Sequence, residues 1–362
     1  MQTNTIMNSL KRKIWVLAVA LLGVGQLHAQ YVTTHAKSAI PGQQRGLYYA
    51  LPRTVLQFDF VIEETHYYVG PYSEYADFVG ATDIILKDSK VYRIVDVTMR
   101  PVAEADPNAT FFIAMNNKKG ETIDVCLTSQ GILEGVGIEP QHREETPLSP
   151  MVKPNPEVDE VSFKYQYGAT AMKEEEQLAR AAAEMVNKVR EEKIKLLTGY
   201  QETAFNRDTY SQMYADLDAM EQEYLSLFVG KKVSNTYVNT VYVTPSKEVP
   251  LQTIAKFSPQ FGFSAGTAGA GEVITVQLLS LQTTGSINQL SPSAVESLSH
   301  ENKLFYRIPE TANVKVSLGA NKVLFETRET IAQLGAFMLA PLGKTKLAFD
   351  PCTGQLISFG LE

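Results

Sequence analysis

Apolar and polar residues alternate over Leu56-Gln-Phe-Asp-Phe-Val-Ile62, which puts Leu56, Phe58, Phe60 and Ile62 on one face of an extended strand. Val91–Met99 and Thr110–Met115 are further strands by the same pattern, and a strand-like run at 122–127 carries Cys126. Asp106-Pro107-Asn108 and Asn117-Lys-Lys-Gly120 supply turn chemistry between them. Between the first two strands, Tyr72–Val79 predicts one short helix that Gly80 closes.

The period changes at residue 170. Leu178, Ala182, Met185, Val189 and Leu196 follow helical steps, and so do Tyr210, Met213, Leu217, Met220, Tyr224 and Leu227. Gly199 ends the first helix, and Asn206 or Asp208 caps the second. The short connection lets the two fold back as an antiparallel hairpin. From residue 233 the alternation returns in Thr236–Val243, Glu272–Leu279, Phe305–Pro309, Asn313–Leu318, Lys322–Thr327 and Lys346–Phe349.

These patterns predict an α+β protein with two mainly antiparallel, sandwich-like β domains flanking or packed on a central helical hairpin. The expected divisions are a signal peptide over 1–29, an N-terminal β domain over 30–165, the hairpin over 166–232 and a C-terminal β domain over 233–362. Five prolines and several acidic residues between 139 and 160 predict a linker or exposed loop at the end of the first β domain.

The N-terminus has a separate logic. Lys11-Arg12-Lys13 is a basic region, Ile14–Gly25 an apolar stretch, and Ala29 a small residue ahead of a cut. That order predicts a cleaved secretory signal, because the apolar stretch falls short of the roughly 20 residues a membrane span takes. The mature chain is then exported and does not itself span a membrane. Export permits a disulfide between the two cysteines, Cys126 and Cys352, with two unpaired thiols as the alternative.

Charge narrows the partners. The 33 basic and 40 acidic residues give −7, and removing the three basic residues of the leader leaves 30 against 40, or −10. Such a chain gains little from phosphate backbones, so nucleic acid is not expected as a partner.

Few residues are spaced for chemistry. Gly266–Gly271 precedes a strand and lacks the Lys-Ser/Thr of a phosphate loop. His35, His66, His142 and His300 are isolated from one another, so no catalytic, cofactor or metal residues are assigned. Glu64 and His66 share a strand face, a pairing that suits metal binding or proton transfer but also an ordinary polar face. The densest aromatic stretch holds Tyr67, Tyr68, Tyr72, Tyr75 and Phe78, as a candidate interaction surface or as rings filling a small core.

Gly46-Leu-Tyr-Tyr-Ala-Leu-Pro-Arg-Thr-Val-Leu56, Gly70-Pro-Tyr-Ser-Glu-Tyr-Ala76 and Ala105-Asp-Pro107 come in that order along the chain. They are followed by Leu196-Leu-Thr-Gly199, Leu227-Phe-Val-Gly230, Tyr306-Arg-Ile-Pro309, Gln333-Leu-Gly335 and Asp350-Pro-Cys-Thr-Gly354. With these motifs in this order the chain resembles the DUF4831 family, secreted and periplasmic proteins of Bacteroidetes. The resemblance implies a Gram-negative envelope compartment and no established activity. The expectation is therefore an exported, non-enzymatic binding or scaffold protein of the periplasm or outer-membrane periphery, with a protein partner in the envelope. Besides Tyr67–Phe78, the hairpin tip near Gly199–Asn206 is a candidate contact surface. Glycan binding or processing is the first alternative, and a hydrolase with dispersed carboxylates the second.

Overall fold

The computed structural model describes residues 31–40, 45–115, 123–139, 162–165, 174–198, 207–247 and 249–361. Among these are fourteen strands and three α-helices. The strands form three antiparallel sheets, and the long helices form the hairpin the sequence predicts. The leader, the proline-rich stretch from residue 140 onward and the hairpin tip at 199–206 lie outside the described residues.

The first sheet is built on two long strands, β2 (Gly46–Tyr68) and β3 (Ser89–Met115). Beside them lie β1 (Tyr31–His35), β6 (Lys231–Val243) and the two-residue β10 (His300–Glu301), in the order β10-β1-β3-β2-β6. Leu56, Phe58, Phe60 and Ile62 are all fully buried on one face of β2, as their alternation requires.

Asp106-Pro107-Asn108 does not separate two strands. It lies inside β3, where Ala50 pairs with Thr110 and Pro52 with Ala105, so the turn chemistry is spent on a wide bulge. Pro107 lacks an N–H and is tolerated at such a break in the ladder. The segments around Phe305 and Asn313 are likewise one strand, β11 (Lys303–Leu318), with a register shift between Ile308 and Glu310 where Pro309 stands.

The second sheet, in the order β12-β11-β9-β7-β8, adds β7 (Leu251–Ser258), β8 (Gly262–Ala265), β9 (Glu272–Ser280) and β12 (Lys322–Pro341). Its Ile254, Ile274, Val276, Val314 and Val316 join Phe58 and Phe60 of the first sheet in one buried cluster. The third sheet runs β14-β13-β5-β4, from β4 (Val125–Leu127), β5 (Leu133–Val136), β13 (Thr345–Phe349) and β14 (Leu356–Leu361). Two sheets therefore take strands from both sides of the hairpin.

Helices α1 (Glu175–Thr198) and α2 (Arg207–Val229) pack on the 3₁₀ segment Ser73–Val79, with Gly80 at φ 67° ending it. The seam of α1 is buried at Leu178, Ala182, Val189 and Leu196, with Met185 half-buried. The charge on α1 is used in part across the hairpin: Lys193 Nζ donates to Asp218 at 2.6 Å and to Glu221 at 2.8 Å, and Arg190 Nε to Glu221 at 2.7 Å. A short helix, α3 (Pro292–Ser297), is capped by the Ser291 side chain. Among the described residues no helix is long and apolar enough to cross a membrane.

Candidate functional site

The pair picked out on β2 is brought together. Glu64 and His66, two residues apart on one strand face, are both nearly fully buried, and His66 Nε2 hydrogen-bonds to Glu64 Oε1. The other ring nitrogen, Nδ1, lies 3.1 Å from the Tyr68 hydroxyl. With Nε2 donating to the carboxylate, a neutral ring leaves Nδ1 to accept from Tyr68. From β3, Tyr92 Oη donates to Glu64 Oε1 at 3.4 Å and Lys90 Nζ lies 3.4 Å from the same oxygen. Tyr92 also holds the second sheet, its N–H donating to the Pro259 carbonyl at 2.8 Å.

Burial pushes the Glu64 carboxyl up, but the contacts of His66 and Lys90 outweigh it and hold the group below the usual carboxylate range. Burial, the Glu64 charge and Tyr92 together push Tyr237 up to about 12. The arrangement is a carboxylate that orients a histidine against a hydroxyl, and it can move a proton between Tyr68 and His66. To a cation it offers only Glu64 and His66, with Lys90 competing. Among the described residues no three His, Cys, Asp or Glu side chains form a metal cluster.

The other deeply buried charges join parts of the chain far apart in sequence. Arg307 on β11 donates from Nη2 to Asp106 Oδ2 at 2.6 Å and from Nη1 to the Pro52 carbonyl. Asp106 also accepts the Asn108 N–H at 2.9 Å within the β3 bulge, so one carboxylate shapes the bulge and anchors β11 to it. Glu310, at the β11 register shift, accepts from Thr283 and Thr284 through both their N–H groups and both their hydroxyls, at 2.6–3.1 Å.

The predicted aromatic stretch turns largely inward. Tyr72 is buried in the hairpin cluster, 5.9 Å from the Phe228 ring, and its N–H donates to the Leu227 carbonyl at 2.7 Å. Tyr75 and Phe78 are half-buried against the same helices, with the Arg180 guanidinium 4.5 Å from the Phe78 ring. Tyr67 and Tyr68 are half-buried at the end of β2, with Lys232 Nζ 5.7 Å from the Tyr67 ring. Cys126 is a buried free thiol that donates to the Ile138 carbonyl at 2.9 Å, and burial pushes its pKa up. Cys352 is exposed in the turn before β14.

One feature of the third sheet was not picked out from the sequence. On β13, Thr345, Leu347 and Phe349 face inward and are buried. Their neighbours on β14, Leu361 and Phe359, are paired with Thr345 and Leu347 and so share that face. Yet Phe359 is 54% exposed and Leu361 75% exposed, while Leu347 is fully buried. Ile357, at 65%, is exposed beside them. Among the described residues, the core face of the sheet therefore runs out past its cover on an edge strand that no further strand pairs on its outer side. The signal was in the sequence as period-two alternation over Ile357, Phe359 and Leu361, right after the Asp350–Gly354 turn.

Residues 45–357 match a family described as a domain of unknown function, DUF4831. No curated protein and no solved structure matches the chain.

Proposed function

The chain belongs to the DUF4831 family, and on that footing we propose that it is a non-enzymatic binding or scaffold module of the cell envelope, exported to the periplasm or the outer-membrane periphery. The compartment is supported by the basic, apolar and small-residue order of residues 11–29. The binding role is supported above all by β14, where a sheet carries its apolar core face past its own cover to an open edge. An exposed apolar face that ends at a strand edge is the kind of surface that takes up an added strand.

The test is crosslinked capture of the tagged, full-length chain from native envelope. The expected result is an envelope partner at fixed stoichiometry that is lost when Phe359 is replaced by Lys. A protein found only in the cytoplasmic fraction would overturn the compartment. An envelope-located protein that returns neither a β14-dependent partner nor a second copy of itself would overturn the binding role.

The Glu64–His66–Tyr68 chain favours a second reading, acid–base processing of an envelope glycan. Incubation with peptidoglycan and a panel of polysaccharides tests it: product that disappears in His66→Asn supports it, and no product from any of them removes it.

A further inference from the structure

Resting on the second reading, glycan processing, we infer that Glu64, His66 and Tyr68 are the relay of an acyl-ester hydrolase, with Tyr68 as nucleophile and an O-acylated glycan as the substrate class. A carboxylate, an imidazole and a hydroxyl stand in line, each within hydrogen-bond reach of the next. That arrangement activates an oxygen nucleophile whatever fold holds it. Period two places all three on one face of β2, so the strand itself sets their spacing.

Burial is graded along the same line. Glu64 and His66 are nearly sealed from solvent, whereas Tyr68 is half-buried. Lys90, opposite His66 on β3, keeps 55% of its side chain exposed. The orienting end of the relay is therefore dry, and the hydroxyl end lies where a substrate can arrive. With the Nε2 proton engaged on Glu64, Nδ1 is the atom that takes the Tyr68 proton.

The state of the acid selects the bond that is cut. Glycosidic cleavage uses a carboxyl group that gives a proton to the leaving oxygen and, in most enzymes, a second carboxylate. Glu64 is the one carboxylate among the contacts described for this cluster. It accepts from His66 and Tyr92 beside the Lys90 ammonium, which together favour its ionised form. Glu63 lies on the other strand face, held by Arg93 at 2.8 Å. An ionised carboxylate supports an imidazolium but has no proton for a leaving group, and ester cleavage asks only for the former.

Tyr68 Oη attacks the acyl carbon, and its proton passes to His66 Nδ1, leaving an imidazolium beside Glu64. As the tetrahedral intermediate collapses, the bond from the acyl carbon to the sugar oxygen breaks, and His66 gives the proton to that oxygen. Water then attacks the acyl-Tyr68 ester while His66 takes one of its protons. Tyr68 departs and regains that proton, and the free acid is released. Lys90, exposed and opposite His66, supplies the cation for the developing oxyanion.

The experiment incubates the purified full-length chain with acetylated xylan and O-acetylated peptidoglycan and measures released acetate and new reducing ends. Acetate without reducing ends is expected. Tyr68→Phe and His66→Asn should each lower kcat by about a thousandfold, and the double variant by no more than either, as members of one relay do. Glu64→Gln, a positioning residue acting through His66, should lower kcat similarly with KM unchanged. An arylsulfonyl fluoride, whose tyrosine adduct water does not remove, is expected to label Tyr68 in the wild-type chain and not in His66→Asn. Exposed Tyr48 is the control. Tyr68→Phe removes one oxygen from a half-buried ring, so the melting temperature should hold.

Acetate release that survives Tyr68→Phe overturns the inference, as does Tyr68 labelled no faster than Tyr48. If a variant fails to fold, labelling of the wild-type chain decides. Reducing ends without acetate remove the ester chemistry and leave glycan processing standing. Neither product from any glycan removes both.

Discussion

Glu310 shows how much one carboxylate does in this fold. It is almost fully buried at the β11 register shift and accepts four hydrogen bonds from Thr283 and Thr284. Burial alone pushes its pKa up, but these bonds favour the charged form and bring it down to about 2. The folded-state value lies below the unfolded one near 4.5. The stabilisation is therefore fully present above about pH 4.5 and lost as pH falls toward about 2. At neutral pH it amounts to about 3 kcal/mol, from the size of the shift. Glu310→Gln is expected to cost about 2–3 kcal/mol at pH 7 and to flatten the acid limb of the stability curve, measured by urea denaturation between pH 2 and 7. A limb of unchanged slope in the variant would place the acid sensitivity elsewhere. Asp106 and Arg307 make the complementary case. Arg307→Met leaves a buried carboxylate without its cation and should cost about 3–5 kcal/mol by the same measurement. Asp106→Asn, which keeps the shape and one acceptor, should cost less.

At the scale of elements, the hairpin divides along its length. The seam of α2 is buried at Tyr224 and Leu227, where it meets the 3₁₀ segment, and half-buried at Met213 and Leu217 toward the tip. Leu227→Ala opens a cavity in a packed cluster and should cost about 2–5 kcal/mol. Leu217→Ala, where one side is solvent, should cost under about 1 kcal/mol. Equal effects in thermal unfolding would mean that the tip is covered by something further. Tyr72→Ala belongs with the buried end, at about 3–5 kcal/mol. The hairpin was legible in the sequence because the helical period is local, although the seams left out Ala179, Ala183, Val186 and Phe228, which are also buried. The aromatic stretch was less so. Nothing within Tyr67–Phe78 states that α2 lies over Tyr72, so its spacing fitted a surface and a core equally well. The strands were legible in position but not in extent. Asp106-Pro107-Asn108 and Pro309 carry turn chemistry, and the sequence does not show that neighbouring strands bridge these breaks as bulges. Glu64 and His66 were legible as a pair because period two puts i and i+2 on one face. Lys90 and Tyr92 come from a different strand, and pairing register is not written locally.

At the scale of the molecule, the decisive fact is that strands on either side of the hairpin share sheets. β6 pairs with β2 from Leu56–Val243 to Tyr68–Lys231, β10 pairs with β1, and β13 pairs with β5. The largest buried cluster draws Phe58 and Phe60 from one side and Val276 and Val314 from the other, and the Arg307–Asp106 pair adds a buried link across the same divide. A boundary near residue 233, where the sequence changes character, therefore falls just after the start of β6, a strand the first sheet needs. Removing the later residues uncovers the apolar face of β2 at Leu56–Ile62, and at roughly 1.5–3 kcal/mol for each large side chain that loss exceeds what a marginally stable unit can bear. Residues 30–230 and residues 231–362, expressed separately, are accordingly expected to aggregate or to lack cooperative unfolding, and to recover a common transition only when co-expressed. The intact chain should unfold in one urea transition that coincides by far-UV circular dichroism and tyrosine fluorescence. Two separated transitions, or a folded fragment 231–362 with its own sharp melt, would show that the shared sheets are a docking surface between independent units and not the core of one.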